Sequence, residues 1–293
     1  MIRSLLAAAI SWACITAANA NTLSWFCDPA GDKLDSNDQP MDAGYEFQLG
    51  VFDTGFEPDA ANIASWLAHW NPADSAQYDP VQKRYAGVYE VEDNAAPFLS
   101  GAKAWIFGRR TGATGSEWIL FRNSNWLWPD VFEINPPDPF GWNAKNANEV
   151  VLGTIYASGS PFLMQSAFVR SYAQWQAAEL TGEPLNAAAD DPDRDGMSNL
   201  LEFVFGTAPK TANAPVATPV VLQSGHAVIT IPRRIDHLVN CTVEVSGNLV
   251  NWQSGPAHTE VLQNDAAALV VRDLTPVNAA NPQRFIRLKA TLP

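Results

Sequence analysis

The segment that restricts this chain most is DDPDRDGMSNLLE, residues 190–202. Counted from Asp191, carboxylates stand at positions 1, 3 and 5 (Asp191, Asp193, Asp195), a glycine at 6 (Gly196), an amide at 9 (Asn199) and a carboxylate at 12 (Glu202). Alternate side chains at 1, 3 and 5 converge on one point, and glycine at 6 permits the backbone conformation that turns the chain. Position 7 contributes only its carbonyl, so Met197 is acceptable there, while Glu202 on the first turn of an exit helix closes the site with both oxygens. A helix cap needs one or two of these residues rather than all six. The spacing therefore predicts a calcium loop, with Ca²⁺ favoured over Mg²⁺ by the number of hard oxygen ligands. Without an ion, four converging carboxylates repel one another, so part of the binding energy is expected to be folding energy.

The flanks of the loop read as helices. Val169, Tyr172, Ala173, Ala177 and Leu180 share one helical face, which predicts a helix over 167–182 ended by Thr181-Gly182. Ser198 to Phe205 is a second, short helix closed by Gly206. Helices this short are not stable alone in water, so it must pack on the first helix or on a neighbouring domain. Residues 166–206 thus form a helix, calcium loop, helix element. The following TAPKTANAPVATP, 207–219, is rich in Pro, Ala and Thr and reads as a semi-extended linker.

Strands are expected on either side, giving a mainly β fold. Over 21–165, Tyr45, Phe47, Leu49 and Val51 alternate with polar or small residues, the pattern of a half-buried strand, and short runs follow at 85–91, 103–108, 117–122 and 149–156. One short helix interrupts them, with Ile63, Trp66, Leu67 and Trp70 on one face and Asn71-Pro72 as its stop. This N-terminal β-rich domain is expected to be a sandwich of unknown ligand. Over 220–293, VVLQ, HAVITI, CTVEVS, LVNWQ, TEVLQ, ALVVRD and RFIRLKA form a second set of strands, expected to be a compact C-terminal β-sandwich.

Residues 1–20 combine an early cation at Arg3, an apolar run from Leu5 to Ile15 and Ala18-Asn19-Ala20, the layout of a secretory signal peptide. A secreted protein is expected, extracellular, periplasmic or on the outer surface, with no membrane span. The net charge of -13 disfavours nucleic acid, which demands clustered Lys and Arg, and suits a divalent cation. Beyond the signal two cysteines remain, Cys27 and Cys241; an oxidising compartment permits a bridge, and two separate thiols are the alternative.

The loop from Asp191 to Gly206 resembles the EF-hand-like and dockerin type I calcium loops, and the DPDGDG-type loops of secreted bacterial proteins. It differs from dockerins in carrying one loop instead of two in tandem: DPAGDKLDSNDQP at 28–40 is acidic but lacks the glycine and the spacing. Ser198 stands where regulatory EF-hands place an aliphatic residue that pairs with a second hand. The resemblance implies a structural rivet between domains rather than cohesin docking or a calcium switch. CTVEVSGNLVNWQ at 241–253 with the final RFIRLKA resembles a small C-terminal β module of bacterial exoproteins, which implies an accessory or attachment role. YEFQLGVFDTGFEPDAANIASWLAHW, with EWILFRN and WLWP, looks like an uncharacterised domain of secreted bacterial proteins.

Catalytic signatures are not evident. There is no H-E-x-x-H, no G-x-S-x-G and no phosphate loop, and His69, His226, His237 and His258 are scattered. Glu117 and Glu133 are the pair a glycan hydrolase would use, which requires two carboxylates at a defined separation. Trp126 and Trp128, two apart in an extended segment, would face one side and offer a sugar platform; core packing is the competing reading. The expectation is therefore a secreted, non-enzymatic modular protein with one structural Ca²⁺ and with a glycan or an envelope component as partner.

Overall fold

The structure, a computed structural model, describes residues 21–91, 94–131, 140–156, 162–232, 234, 236–264 and 268–293. The expected signal at 1–20 lies outside them. Strands dominate the described residues, and the three α-helices there are short: α1 (Trp66–His69), α2 (Tyr172–Glu179) and α3 (Asn199–Phe205). None is long and apolar enough to cross a membrane.

A central sheet runs in the order His237–Leu238, Ala167–Ser171, Ser116–Arg122, Ala104–Thr111, Glu46–Phe52, Trp70–Gln77, with Glu149–Leu152 also paired to Ser116–Arg122. It is buried on both faces. On one, Phe47, Leu49, Val51, Ile106, Ile119 and Phe121 pack against Leu23 and Trp25. These last two come from a small sheet of Ala86–Val91, Asn21–Phe26 and Phe140–Asn143. On the other face, Phe52, Trp105, Phe107, Trp118, Leu120 and Val169 pack against Ile63 and Trp66. The half-buried strand expected at Tyr45 to Val51 is therefore buried on both sides, because Trp70 covers the residues between the alternating ones: its indole nitrogen donates to Gln48 (2.8 Å) and its ring lies over Gly50. A second small sheet joins Thr154–Tyr156, Leu163–Gln165 and Asp32–Leu34.

Two helix expectations need correction. The helix expected through Trp70 ends at His69, Leu67 is about half exposed at 49 %, and Trp70 opens the strand Trp70–Gln77. Pro72 hid this strand in the sequence. It is tolerated because the strand lies at the edge of the sheet, where its register shifts opposite Leu49 and Gly50. Likewise, the helix expected over 167–182 is confined to α2. Ala167–Ser171 is a strand in which Phe168 and Val169 pair with Glu117 and Ser116. Ser171 then starts α2 with a capping box: its hydroxyl accepts from the Gln174 amide while the Gln174 side chain accepts from the Ser171 amide.

In the C-terminal part, a four-stranded sheet (Val220–Gln223, His226–Pro232, Ala268–Asp273, Thr259–Asn264) faces the pair Asn240–Ser246 and Phe285–Thr291. Ile229, Ile231, Leu269 and Val271 from the first meet Val243, Ile286 and Leu288 from the second, a two-layer β core. LVNWQ, expected as a strand, is a turn that contributes only a bridge from Gln253 to Val245. Asn248 Oδ1 accepts from the Val250 and Asn251 amides there, and this local bonding replaces a ladder. Between the layers His237–Leu238 crosses over and pairs in parallel with Ala167–Ser171, so the C-terminal part is docked on the central sheet. Cys27 and Cys241 are not joined by a disulfide: Cys27 sits in the N-terminal core, where burial pushes it up to about 11, and Cys241 packs among the C-terminal strands.

Candidate metal centre

The acidic loop leaves α2 and winds around its own carboxylates. Asp191 Oδ1 accepts from the Arg194 amide (2.7 Å), Asp191 Oδ2 from Gly196 (3.0 Å), Asp193 Oδ1 from Asp195 (3.2 Å) and Asp195 Oδ1 from Met197 (2.9 Å). This winding needs a left-handed residue, and Gly196 has φ 94°. A Cβ at Gly196 would meet nothing within 4 Å, so backbone conformation rather than space demands the glycine. The chain then enters α3 after Ser198 and leaves it through Gly206, left-handed at φ 72°. Within α3, Asn199 and Glu202 are three residues apart and share a face, which turns both inward.

Side-chain oxygens of Asp191, Asp193 and Asp195 lie within 4.8 Å of one another. Glu202 is fully buried beside them: burial first, then repulsion from Asp193 and Asp195, pushes its carboxyl up to about 7. Asp193 is raised as well, by burial ahead of repulsion from Asp195 and Asp191. Three buried acceptors in this group have no hydrogen-bond partner: Asp193 Oδ2, Asn199 Oδ1 and Glu202 Oε2. The Asn199 amide nitrogen donates to the Leu185 and Ala187 carbonyls at 3.1 and 2.9 Å, which fixes the orientation of the unpartnered oxygen. Each such acceptor costs on the order of 1–3 kcal/mol if left bare. A hard divalent cation held by the three aspartates would neutralise them and give Asp193 Oδ2 a partner, and an all-oxygen donor set of this kind fits Ca²⁺. Met197 is buried in the loop, and its carbonyl would be the position 7 ligand.

The linker contributes residues that the sequence did not suggest. The Asn213 amide donates to Asp195 Oδ2 (2.9 Å), its side chain reaches Glu202 Oε1 (3.5 Å), and the Thr207 hydroxyl reaches the same oxygen (3.4 Å). Nothing in a Pro, Ala and Thr rich run marks an asparagine as a neighbour of an acidic loop. The segment at 207–219 has no helix or strand before Val220, yet it is tied back to the loop.

Behind the loop, α3 is wedged among three elements. Phe203 is fully buried, meets Tyr172 and Trp175 of α2 edge-on and tilted at 5.5 and 5.6 Å, and stacks on His237. Val204 and Leu180 complete this cluster with Val239 from the C-terminal part.

The other candidates are structural. Trp126 and Trp128 are 5 % and 1 % exposed; Trp126 stacks on Trp142 and Trp128 lies between Tyr89 and Phe98, so no sugar platform is presented there. The core reading is the one that applies, because Trp126 and Trp128 cover the same cluster as Trp25. Glu117 is buried and accepts from the Ser36 amide and hydroxyl and from the Ser166 hydroxyl at 2.7–3.1 Å. Those bonds commit it to holding strands together; Glu133 lies outside the described residues. His69 pairs with Asp53 at 3.0 Å and His226 bonds the Asp273 carbonyl at 2.8 Å, on separate elements. No protein-family model matches the chain, and no curated protein matches it.

Proposed function

We propose that this chain is a secreted, non-enzymatic modular protein in which one structural calcium ion fastens the C-terminal β-sandwich to the N-terminal β unit. The observation that carries the reading is the cluster of three aspartate side chains together with the buried, unpartnered oxygen of Glu202, whose carboxyl is close enough to be repelled by Asp193 and Asp195. Asp191, Asp193, Asp195, the Met197 carbonyl, Asn199 and Glu202 would hold the ion, which supplies charge neutralisation and a fixed point for the loop. Because Glu202 stands one residue before Phe203, ordering the loop orders the helix that packs α2 and the C-terminal strands. Residues 1–20 serve as the export signal in this reading, which puts the loop where calcium is abundant. With Trp126 and Trp128 in the core, this reading assigns them no part in binding a glycan.

Extracellular calcium modules have dissociation constants of ~10⁻⁴ to 10⁻³ M. At about 100-fold excess over that constant the ion stabilises the fold by about 2.7 kcal/mol. Thermal melts in calcium and in EGTA test the reading: the melting temperature is expected to fall in EGTA and to recover on adding calcium back. A melt indifferent to EGTA would count against a structural ion.

A further inference from the structure

We propose that the Lys210–Thr211 peptide bond is a processing site for an endopeptidase that cuts after a basic side chain, guarded by the cation at the acidic loop. The inference rests on the calcium reading above and adds a consequence for the segment that follows α3. Ala208 to Thr211 is a turn, closed by the Thr211 amide on the Ala208 carbonyl (3.3 Å) and by the Asn213 side chain on the same carbonyl (3.1 Å). Pro209 is buried at its base, and Lys210 is exposed at its tip. The side chain that such an enzyme recognises is therefore presented, while the bond to be cut is locked in a turn. Peptidases bind extended chain, so cleavage requires the turn to open, and its rate follows the open population.

Both ends of this strap are anchored on proposed cation ligands. Thr207 donates to Glu202 at the near end, and Asn213 donates to Asp195 and Glu202 at the far end. An ion that holds Asp195 and Glu202 in place holds the anchors too. Its removal leaves four carboxylates repelling one another, one of them with a fully buried, unpartnered oxygen. The anchors then part and the turn opens. Hydrolysis adds water to the Lys210 carbonyl carbon and breaks its bond to the Thr211 nitrogen, leaving a carboxylate and an amine. The C-terminal strands lose their covalent link but keep the pairing of His237–Leu238 with Ala167–Ser171, so the first product is a nicked, docked chain.

Limited digestion of the full chain with trypsin, in calcium and in EGTA, with mass spectrometry of the fragments and a parallel calorimetric calcium titration, tests this. Cleavage after Lys210 is expected to be the first event in EGTA and at least about tenfold faster there than in calcium. Lys210→Gln should abolish that fragment pair with calcium binding unchanged, and Asn213→Ala should raise the rate in calcium towards that in EGTA. Calcium binding with equal cleavage in both media, first cuts in EGTA scattered over the chain, or an Asn213→Ala rate unchanged in calcium would each overturn the strap and leave the ion reading standing. A titration without binding would remove the ion reading itself.

Discussion

Phe203 and His237 lie face to face, their ring centroids 4.2 Å apart and their planes 7° from parallel, and His237 Nδ1 donates to the Phe203 carbonyl. This pair joins the helix that carries Asn199 and Glu202 to the strand His237–Leu238, and through it to Ala167–Ser171 in the central sheet. The acidic loop is thereby connected to the packing of both β regions. Replacing His237 by Ala removes the stack and leaves a helix carbonyl without its donor. The expected cost is about 2–4 kcal/mol in denaturant unfolding, with the calcium stoichiometry unchanged.

The same histidine gives a pH dependence with a definite sign. Burial, ahead of the opposing bond to Phe203, holds His237 below its ordinary value of 6.5, so the folded chain prefers the neutral ring. The unfolded chain therefore binds more protons in the window just below 6.5. Stability contributed here is complete above that value and is lost as pH falls towards the lowered folded value. Unfolding measured in calcium from pH 7.5 to 5 should show this loss, and His237→Gln should flatten it.

Calcium binding is expected to release protons. Ion-free Glu202, pushed up to about 7 by burial and the neighbouring aspartates, must be ionised to ligate. Affinity should fall by about tenfold per pH unit as pH drops below 7. For the ion-free chain the sign is opposite to that of His237: the protonated Glu202 favours the fold fully below 4.5, and the benefit is lost as pH rises through about 7. Titrations in buffers of different ionisation enthalpy measure the proton release, and Glu202→Gln should abolish it.

The convergence of Asp191, Asp193 and Asp195 was legible because side chains at alternate positions around a turning loop meet whatever surrounds them. Ser198 and Gly206 bounded α3 for a similar local reason. Misreadings fell where tertiary context overrides the local pattern. Phe168 and Val169 suit a helical face, but cross-strand pairing with Glu117 and Ser116 takes them, and the Ser171 and Gln174 capping box was the available sign of where α2 starts. Pro72 concealed an edge strand. Asn213 carries no local signature, since its role exists only once the chain folds back on Asp195.

Trp128 supplies a control for the assignment of the tryptophans to the core. Trp128→Ala should cost about 3–5 kcal/mol by cavity formation. Calcium affinity should be unchanged, because the residue packs on Tyr89 and Phe98 rather than near the acidic loop. Denaturant unfolding alongside a calcium titration of the variant checks both statements.

Calorimetric titration of calcium into the chelator-stripped chain, beside Asp195→Ala and Glu202→Gln, bears most directly on the structural ion. One saturable site is expected, lost or strongly weakened in both variants, with a calcium-dependent rise in melting temperature confined to the unaltered chain. Absence of a saturable site, or binding that adds no thermal stability, would contradict a calcium ion that fastens α3 between the two β regions.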